Sequence, residues 1–256
     1  MSSNLDVALA VARRSLRHAF TNPALLLPSI LFPLVFLLAF AGGLSNIDNV
    51  PGFHYPPGYT TFQYVFVLLQ SAAFGGIFTG FGIAADFESG FARRMLLAAP
   101  HRTGMLVGYA IAGMVRWAFT ATMVTIVALL AGMTVYGSGI ELTGLIGVGL
   151  IVNVASTLFG AGVSFRTKTL QAGPLMQVPI FVLLFLAPVY VPLTLLNGWI
   201  HTVASYNPMT ALLTAGRGFL SGAPDKSAIA FASGAGIVAL MALYAVRGLR
   251  RAERGL

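Results

Sequence analysis

Residues 62–85, FQYVFVLLQSAAFGGIFTGFGIAA, run for 24 positions without a charged side chain. A helix of that length spans about 36 Å, enough to cross ~30 Å of hydrocarbon. A transmembrane barrel would need segments of about ten residues alternating apolar and polar, and this run is apolar all round. Five more apolar stretches lie on either side of it, at 24–44, 104–136, 143–165, 174–196 and 228–246, and none of the six contains Asp or Glu. The stretch 104–136 is too long for a simple crossing, which predicts an interfacial first turn, a tilt or both. The expected fold class is an all-α integral membrane protein, one transmembrane domain over 1–256 with six transmembrane helices.

Composition agrees. Of 256 residues, 57% are hydrophobic and 9% charged, with mean hydropathy +0.85. A soluble domain has about 45–50% apolar and about 25% charged residues. A soluble globule of this size cannot hide so much apolar surface. This excludes a soluble enzyme, a secreted disulfide scaffold and a disordered tail. The absence of Cys removes disulfides, thiolate metal sites and cysteine nucleophiles. The net charge of +8 would point to nucleic acid in a soluble protein. Here the cations lie between apolar runs, so membrane topology accounts for them and no nucleic-acid partner is expected.

Lys and Arg gather on the cytoplasmic side of membrane proteins. With the N-terminus inside, the inner segments hold Arg13, Arg14, Arg17, Arg93, Arg94, Arg102, Arg166, Lys168, Arg247, Arg250, Arg251 and Arg254. The outer segments hold only Arg217 and Lys226. Both termini are therefore expected in the cytoplasm. Arg13-Arg14 faintly resembles a twin-arginine start, but the apolar run after it is long and five more follow, so it reads as an uncleaved first span. Leu5, Leu9, Ala12, Leu16 and Phe20 share one helical stripe ahead of Asn22-Pro23. That predicts an amphipathic helix over 1–23 in the inner interface.

The connecting segments carry further information. Residues 45–61 have three Pro and no cation and read as an outer loop; His54 there lacks a second ligand nearby, and no metal site is expected. Residues 86–103, DFESGFARRMLLAAPHRT, place acids first and bases later, as a helix dipole favours. They form either a solvated connector on the membrane or a helix that docks into a soluble partner. GVSFRTKT at 162–169 superficially matches a P-loop, but Thr167 replaces the second Gly and no strand precedes it. The chain has no recognisable ATP site. Residues 197–227 are too polar for a span and too apolar for a plain loop. Asn207-Pro208 divides them, predicting two short helices that dip into the outer leaflet as a re-entrant hairpin between spans 5 and 6. Trp199, Leu212, Leu213 and Phe219 would be buried there.

At this point the residues resemble a known family. FVLLFLAPVYVPLTLLNGWIHTVASYNPMTALLTAGRGF is similar to the closing region of type-2 ABC exporter membrane subunits, through Pro192, Trp199, Asn207-Pro208 and Arg217. Asp86, Glu88, Gly90, Arg94, Pro100 and Arg102 match the family's cytoplasmic acid-x-acid-x-Gly helix ending in Pro-x-Arg. The nearest subgroup is the daunorubicin-resistance-like drug exporters. The resemblance implies a permease in a bacterial plasma membrane, paired with an identical or different second membrane subunit. It implies two copies of a soluble ABC ATPase that carry the ATP and Mg, leaving this chain without cofactor or catalysis. Residues 86–103 become the coupling helix, with Phe87, Phe91 and Leu96 as apolar anchors and Glu88 paired to a basic residue of the ATPase. ATP closure would then rock the membrane halves in alternating access and export a hydrophobic or amphipathic compound.

Polar and aromatic residues within the spans have two readings. Gln70 and Asn153 serve as interhelical glue or, with Gln177, line the translocation path. Phe36 and Phe40, spaced with Phe32 along the first span, pack a dimer seam or touch substrate. Arg116 is expected to reach towards the cytoplasmic side, since an Arg at mid-bilayer costs roughly 2.5–3.5 kcal/mol on insertion scales. Export of a lipid or lipid-linked glycan by the same architecture is the main alternative and calls for an open, aromatic-lined groove. An ion-coupled secondary transporter would need a buried carboxylate within a span. An intramembrane enzyme would need a catalytic pair at depth, and all four His lie in tails or loops.

Overall fold

The computed structural model describes residues 4–98 and 102–254. No strand occurs among them. The helices are α1 (Asn4–Thr21), α2 (Pro23–Gly43), α3 (Gly58–Glu88), α4 (Phe91–Ala98), α5 (Thr103–Leu130), α6 (Gly139–Thr167), α7 (Gly173–Phe185), α8 (Gly198–Tyr206), α9 (Pro208–Ser221) and α10 (Ser227–Arg254). Four of them, α3, α5, α6 and α10, are long and apolar enough to cross a membrane. α2 has 21 residues and α7 only 13.

α3 is the centre. Every residue from Thr61 to Ile77 is buried. Over their most apolar windows, α3 is 83% buried and α10 only 17%, so α10 lies at the periphery. α6 packs against α3 closely because both present small residues at the crossing. A Cβ added to Gly80 would lie 2.8 Å from the Gly160 Cα, and one added to Gly76 would lie 2.5 Å from the Thr157 backbone nitrogen. Polar side chains of α6 fasten the seam: Asn153 Nδ2 donates to the Ala72 carbonyl at 3.0 Å and Ser164 Oγ to the Gly80 carbonyl at 2.8 Å. α5 joins through Trp117, whose indole N–H donates to Ser71 Oγ at 3.1 Å. α6 starts with a capping box, Ser138 and Glu141, and ends at Lys168 in the left-handed region.

Three expectations need correction. The run 174–196 is not one helix: α7 stops at Phe185 and a 3-10 turn follows at Leu193–Leu195. Pro188 has no N–H to continue the ladder and disfavours helical geometry at Ala187. The run 104–136 is helical only to Leu130, after which Gly132 turns the chain at φ 90°; the 28 residues of α5, about 42 Å, still exceed a simple crossing. The stripe of the first helix is divided: Leu5, Leu9 and Phe20 are exposed, as a face lying in the interface requires, but Ala12 turns inward with Ala8, Val11 and Ala19 as the buried face. The reason is Gly104 and Gly108, which let α1 lie lengthwise on α5; Cβ atoms there would meet the backbone oxygens of Asn4 at 2.8 Å and Ala8 at 2.5 Å.

Replacing Gly80 with Leu should lower the apparent melting temperature in detergent, corresponding to about 1–3 kcal/mol of overpacking. Gly82, with nothing within 4 Å of an added Cβ, should accept Ala without change. Differential scanning fluorimetry of the two variants checks both outcomes.

Candidate functional site

Two polar clusters stand at opposite ends of α3, called inner and outer after the orientation expected from the cations. The inner one begins with the geometry of an elbow. α3 runs on through Glu88, and Gly90 at φ 71° turns the chain into α4. Asp86 is buried and accepts both guanidinium nitrogens of Arg14 at 2.8 Å, together with the Tyr109 hydroxyl at 2.9 Å. The same guanidinium lies 3.6 Å from the centre of the Phe91 ring. One arginine of α1 thus joins α3 and α4, while the tyrosine brings in α5. The forked, two-bond geometry is the strongest form of such a pair.

The other residues expected to couple are placed differently. Glu88 is exposed and accepts from the Thr169 hydroxyl and the Leu170 N–H, both at 2.8 Å, so it holds the connector after α6. Phe87 packs edge-on to Phe165 at 5.9 Å, and Leu96 is fully buried in the same inner core. Both face the chain's own interior. Arg102 Nε donates to the Leu96 carbonyl at 3.1 Å and its guanidinium lies 3.5 Å from Glu253 of α10. α4 turns Arg93, Arg94 and Leu97 outward, Leu97 with 66% of its surface exposed. Pro100 lies outside the described residues.

The outer cluster centres on Arg217. It is buried on α9, with its guanidinium 3.3 Å over the Phe62 ring. Nη1 donates to the Pro188 carbonyl at 2.8 Å and Nη2 to Val189 at 3.1 Å, while Nε reaches the Phe62 carbonyl at 3.4 Å. The carbonyls of Pro188 and Val189 are available because α7 has already ended. Gln63 Nε2 also donates to Val189, at 3.1 Å. The Tyr55 hydroxyl donates to the Arg217 carbonyl at 2.8 Å, and burial raises this phenol above its ordinary range against the opposing charge of Arg217. Asn207 caps α9 by accepting from Met209 N–H at 2.9 Å, with Pro208 in the first turn, and donates Nδ2 to Leu183 at 2.7 Å. Trp199 on α8 is 71% exposed on the surface of the chain, whereas Leu212, Leu213 and Phe219 are buried against the chain's own helices.

Between the clusters lie the candidate path residues. Phe36 and Phe40 pack within the chain, tilted against Phe185 at 6.0 Å and edge-on to Tyr190 at 5.2 Å respectively. Asn153 bonds α3. Gln70 is wholly buried and has no hydrogen-bond partner among the described residues, and Gln177 is half-buried. Arg116 stops at the middle of the bundle, donating to the Gly75 carbonyl and to Thr79 Oγ1 at 2.7 Å, and does not reach the inner end. No group of His, Cys, Asp or Glu able to hold a metal occurs among the described residues.

Sequence reasoning missed Arg14, Tyr109, Gln63, Tyr55 and Thr169. Arg14 is one of three N-terminal arginines with nothing to single it out. Its partner lies 72 positions away. Tyr109 and Gln63 were hidden inside runs read only as apolar.

The ABC-2 type transporter family profile matches residues 7–220. Among curated proteins, the daunorubicin resistance ABC transporter permease protein DrrB1 of Streptomyces coeruleorubidus is similar. It is 22% identical over 232 residues, covering 88% of this chain and 79% of the relative.

Arg14→Gln should strand the Asp86 carboxylate at a cost of about 1–3 kcal/mol and loosen α1 from α5. Limited trypsin digestion should then cut faster at Arg13 and Arg17, and Asp86→Asn in the same chain should restore part of the protection. Arg217→Met should take the donor from the Pro188 carbonyl and weaken the hold on Val189, lowering the melting temperature more than Arg94→Met on the exposed face of α4.

Proposed function

The chain belongs to the ABC-2 type transporter family, and we propose from that premise that it is the permease of an ATP-driven drug exporter. It moves a hydrophobic or amphipathic compound out of the cytoplasm or inner leaflet of a bacterial plasma membrane, by alternating access. Six membrane helices are formed by α2, α3, α5, α6, the α7 region and α10, with both termini inside. α8 and α9 form the re-entrant outer element. ATP hydrolysis belongs to two soluble subunits, one beneath each of two membrane chains.

The observation that carries the reading is the elbow. Arg14, Asp86 and Tyr109 tie α1, α3 and α5 together immediately before the turn into α4. α4 then holds Arg93, Arg94 and Leu97 outward on a base that cannot yield locally. A push on α4 passes straight into α3. In this reading the exposed face of α4 meets the ATPase, while Phe87 and Leu96 anchor the elbow to its own core and Glu88 holds the connector. The match to a daunorubicin resistance permease favours a drug-like cargo. The packing of Phe36 and Phe40 against Phe185 and Tyr190 favours it over the open groove that a lipid-linked glycan would need. The only acidic side chain buried among the described residues, Asp86, is paired with Arg14, which disfavours ion coupling.

Affinity purification in mild detergent should bring down a P-loop ATPase. Leu97→Asp with Arg94→Glu should remove the ATPase and abolish efflux of an anthracycline-like dye while leaving the permease folded. Undiminished efflux by that double variant would refute the docking role of α4. A folded permease that never retains an ATPase would refute the exporter reading.

A further inference from the structure

A cavity of about 200 Å³ lies between α3, α6, α7, α9 and α10. Its floor is made by small side chains, Ala73 of α3 and Ala155 and Ser156 of α6. Phe159, Leu184 and Met209 wall it, and Pro179, Leu183, Ile237 and Met241 form the side that is exposed or half-exposed. The cavity has a local cause. Pro179 occupies the middle of the short helix α7, and α9 begins at Pro208 on the opposite side, so two rigid rings take positions where longer side chains would interdigitate.

The chemistry of the lining is restrictive. Ser156 supplies its only side-chain hydroxyl, and that group donates to the Val152 carbonyl at 2.8 Å. The surface facing the space is almost wholly apolar, and burying an amine, a hydroxyl or a sugar there without a partner is costly. Size restricts it further. Sites for drug-sized ligands run from about 300 to 1,000 Å³, whereas a dry apolar cavity of about 150 Å³ holds a benzene. The space suits a few methylenes of a chain whose remainder lies outside.

Depth identifies the source of that chain. Ala73 is the midpoint of α3, and Ile151 to Phe159 bracket the midpoint of α6. Ile237 and Met241 lie at the centre of α10. For helices that cross a bilayer, this level is hydrocarbon on every side. The neighbouring outward residues, Leu240 and Leu243 of α10 and Val178 and Val182 of α7, are exposed and apolar. We propose that the cavity holds an acyl chain of a bilayer phospholipid, a resident of the fold and not its cargo. The inference rests on the membrane setting of the family and not on the export reading. The chain fills the gap beside the Asn207-Pro208 turn, so the packing of α9 depends on the bilayer's own tails.

The test is photo-crosslinking of the full chain in vesicles containing a phospholipid with a diazirine midway along one acyl chain, with adducts mapped by mass spectrometry. Leu183, Ile237 and Met241 should be labelled several-fold more than Leu240 and Leu243, which report ordinary boundary lipid. Ala155→Leu, which fills the floor, should remove the excess while Leu240 and Leu243 stay labelled. Ile237→Trp, which narrows the mouth, should do the same and covers the case in which the first variant fails to fold. Equal labelling at all five positions, or an excess unaffected by both variants, would mean boundary lipid alone and overturn the proposal. Loss of the excess on adding an anthracycline-like compound, with Leu240 labelling unchanged, would make the cavity a cargo site and also overturn it. Failure of the export reading would leave each of these outcomes unchanged.

Discussion

The seam between α3 and α6 is the constraint from which the rest of the bundle follows. Helices surrounded by hydrocarbon gain nothing from burying more hydrocarbon, so they associate through close packing and interhelical hydrogen bonds. Gly76 and Gly80 remove side chains where Ser156, Thr157 and Gly160 arrive, and the approach that results lets Asn153 and Ser164 reach carbonyls of α3. Once α6 is seated there, Trp117 of α5 finds Ser71. α10 is then held against α6, where the Arg166 guanidinium lies 3.8 Å over Tyr244 and donates to its carbonyl. An apolar surface without these small residues would have left four greasy helices with no preferred register.

Arg14 and Arg217, one half-buried and one buried, show two ways of holding charge against the apolar bundle. At the inner end Arg14 has a carboxylate and partial access to water, so the pair is close to neutral and still reachable. At the outer end Arg217 has only carbonyls and an aromatic face, and keeps its charge without a counter-ion. That second solution works only beside an interrupted helix, because an intact one would have used those carbonyls itself. The early end of α7 and the burial of Arg217 are therefore one arrangement. Neither residue set makes sense alone.

Much of this was legible from the residues. Long runs without Asp or Glu located the helices, Asn207-Pro208 marked the start of α9, and Asp86 to Arg102 marked a distinct inner segment. The facing of side chains was not legible. The stripe of Leu5, Leu9 and Phe20 marks the outward face of α1, but nothing in it shows that the opposite face packs on α5, where close contact with Gly104 and Gly108 selects alanines. Phe87 and Leu96 were read as anchors for a partner because the segment was considered in isolation; α5, α6 and α10 supply enough apolar surface to bury them first. The run 174–196 was uniformly apolar, so hydropathy alone could not show where its helix stopped. Pro188 holds that information, because a proline cannot continue the helical ladder.

α3 connects both polar clusters within one unbroken helix. It has 31 residues, no proline, and a length of about 46 Å. Its first turns hold Phe62 and Gln63 against the outer arginine and the end of α7, and its last turn holds Asp86. Such an element behaves as a stiff rod with a fixture at each end. A displacement at one fixture arrives at the other with its amplitude nearly intact, and with no intermediate joint to absorb it. In the proposed exporter, opening to the outside would then be timed by the stiffness of a single helix, without a relay of rearranging side chains.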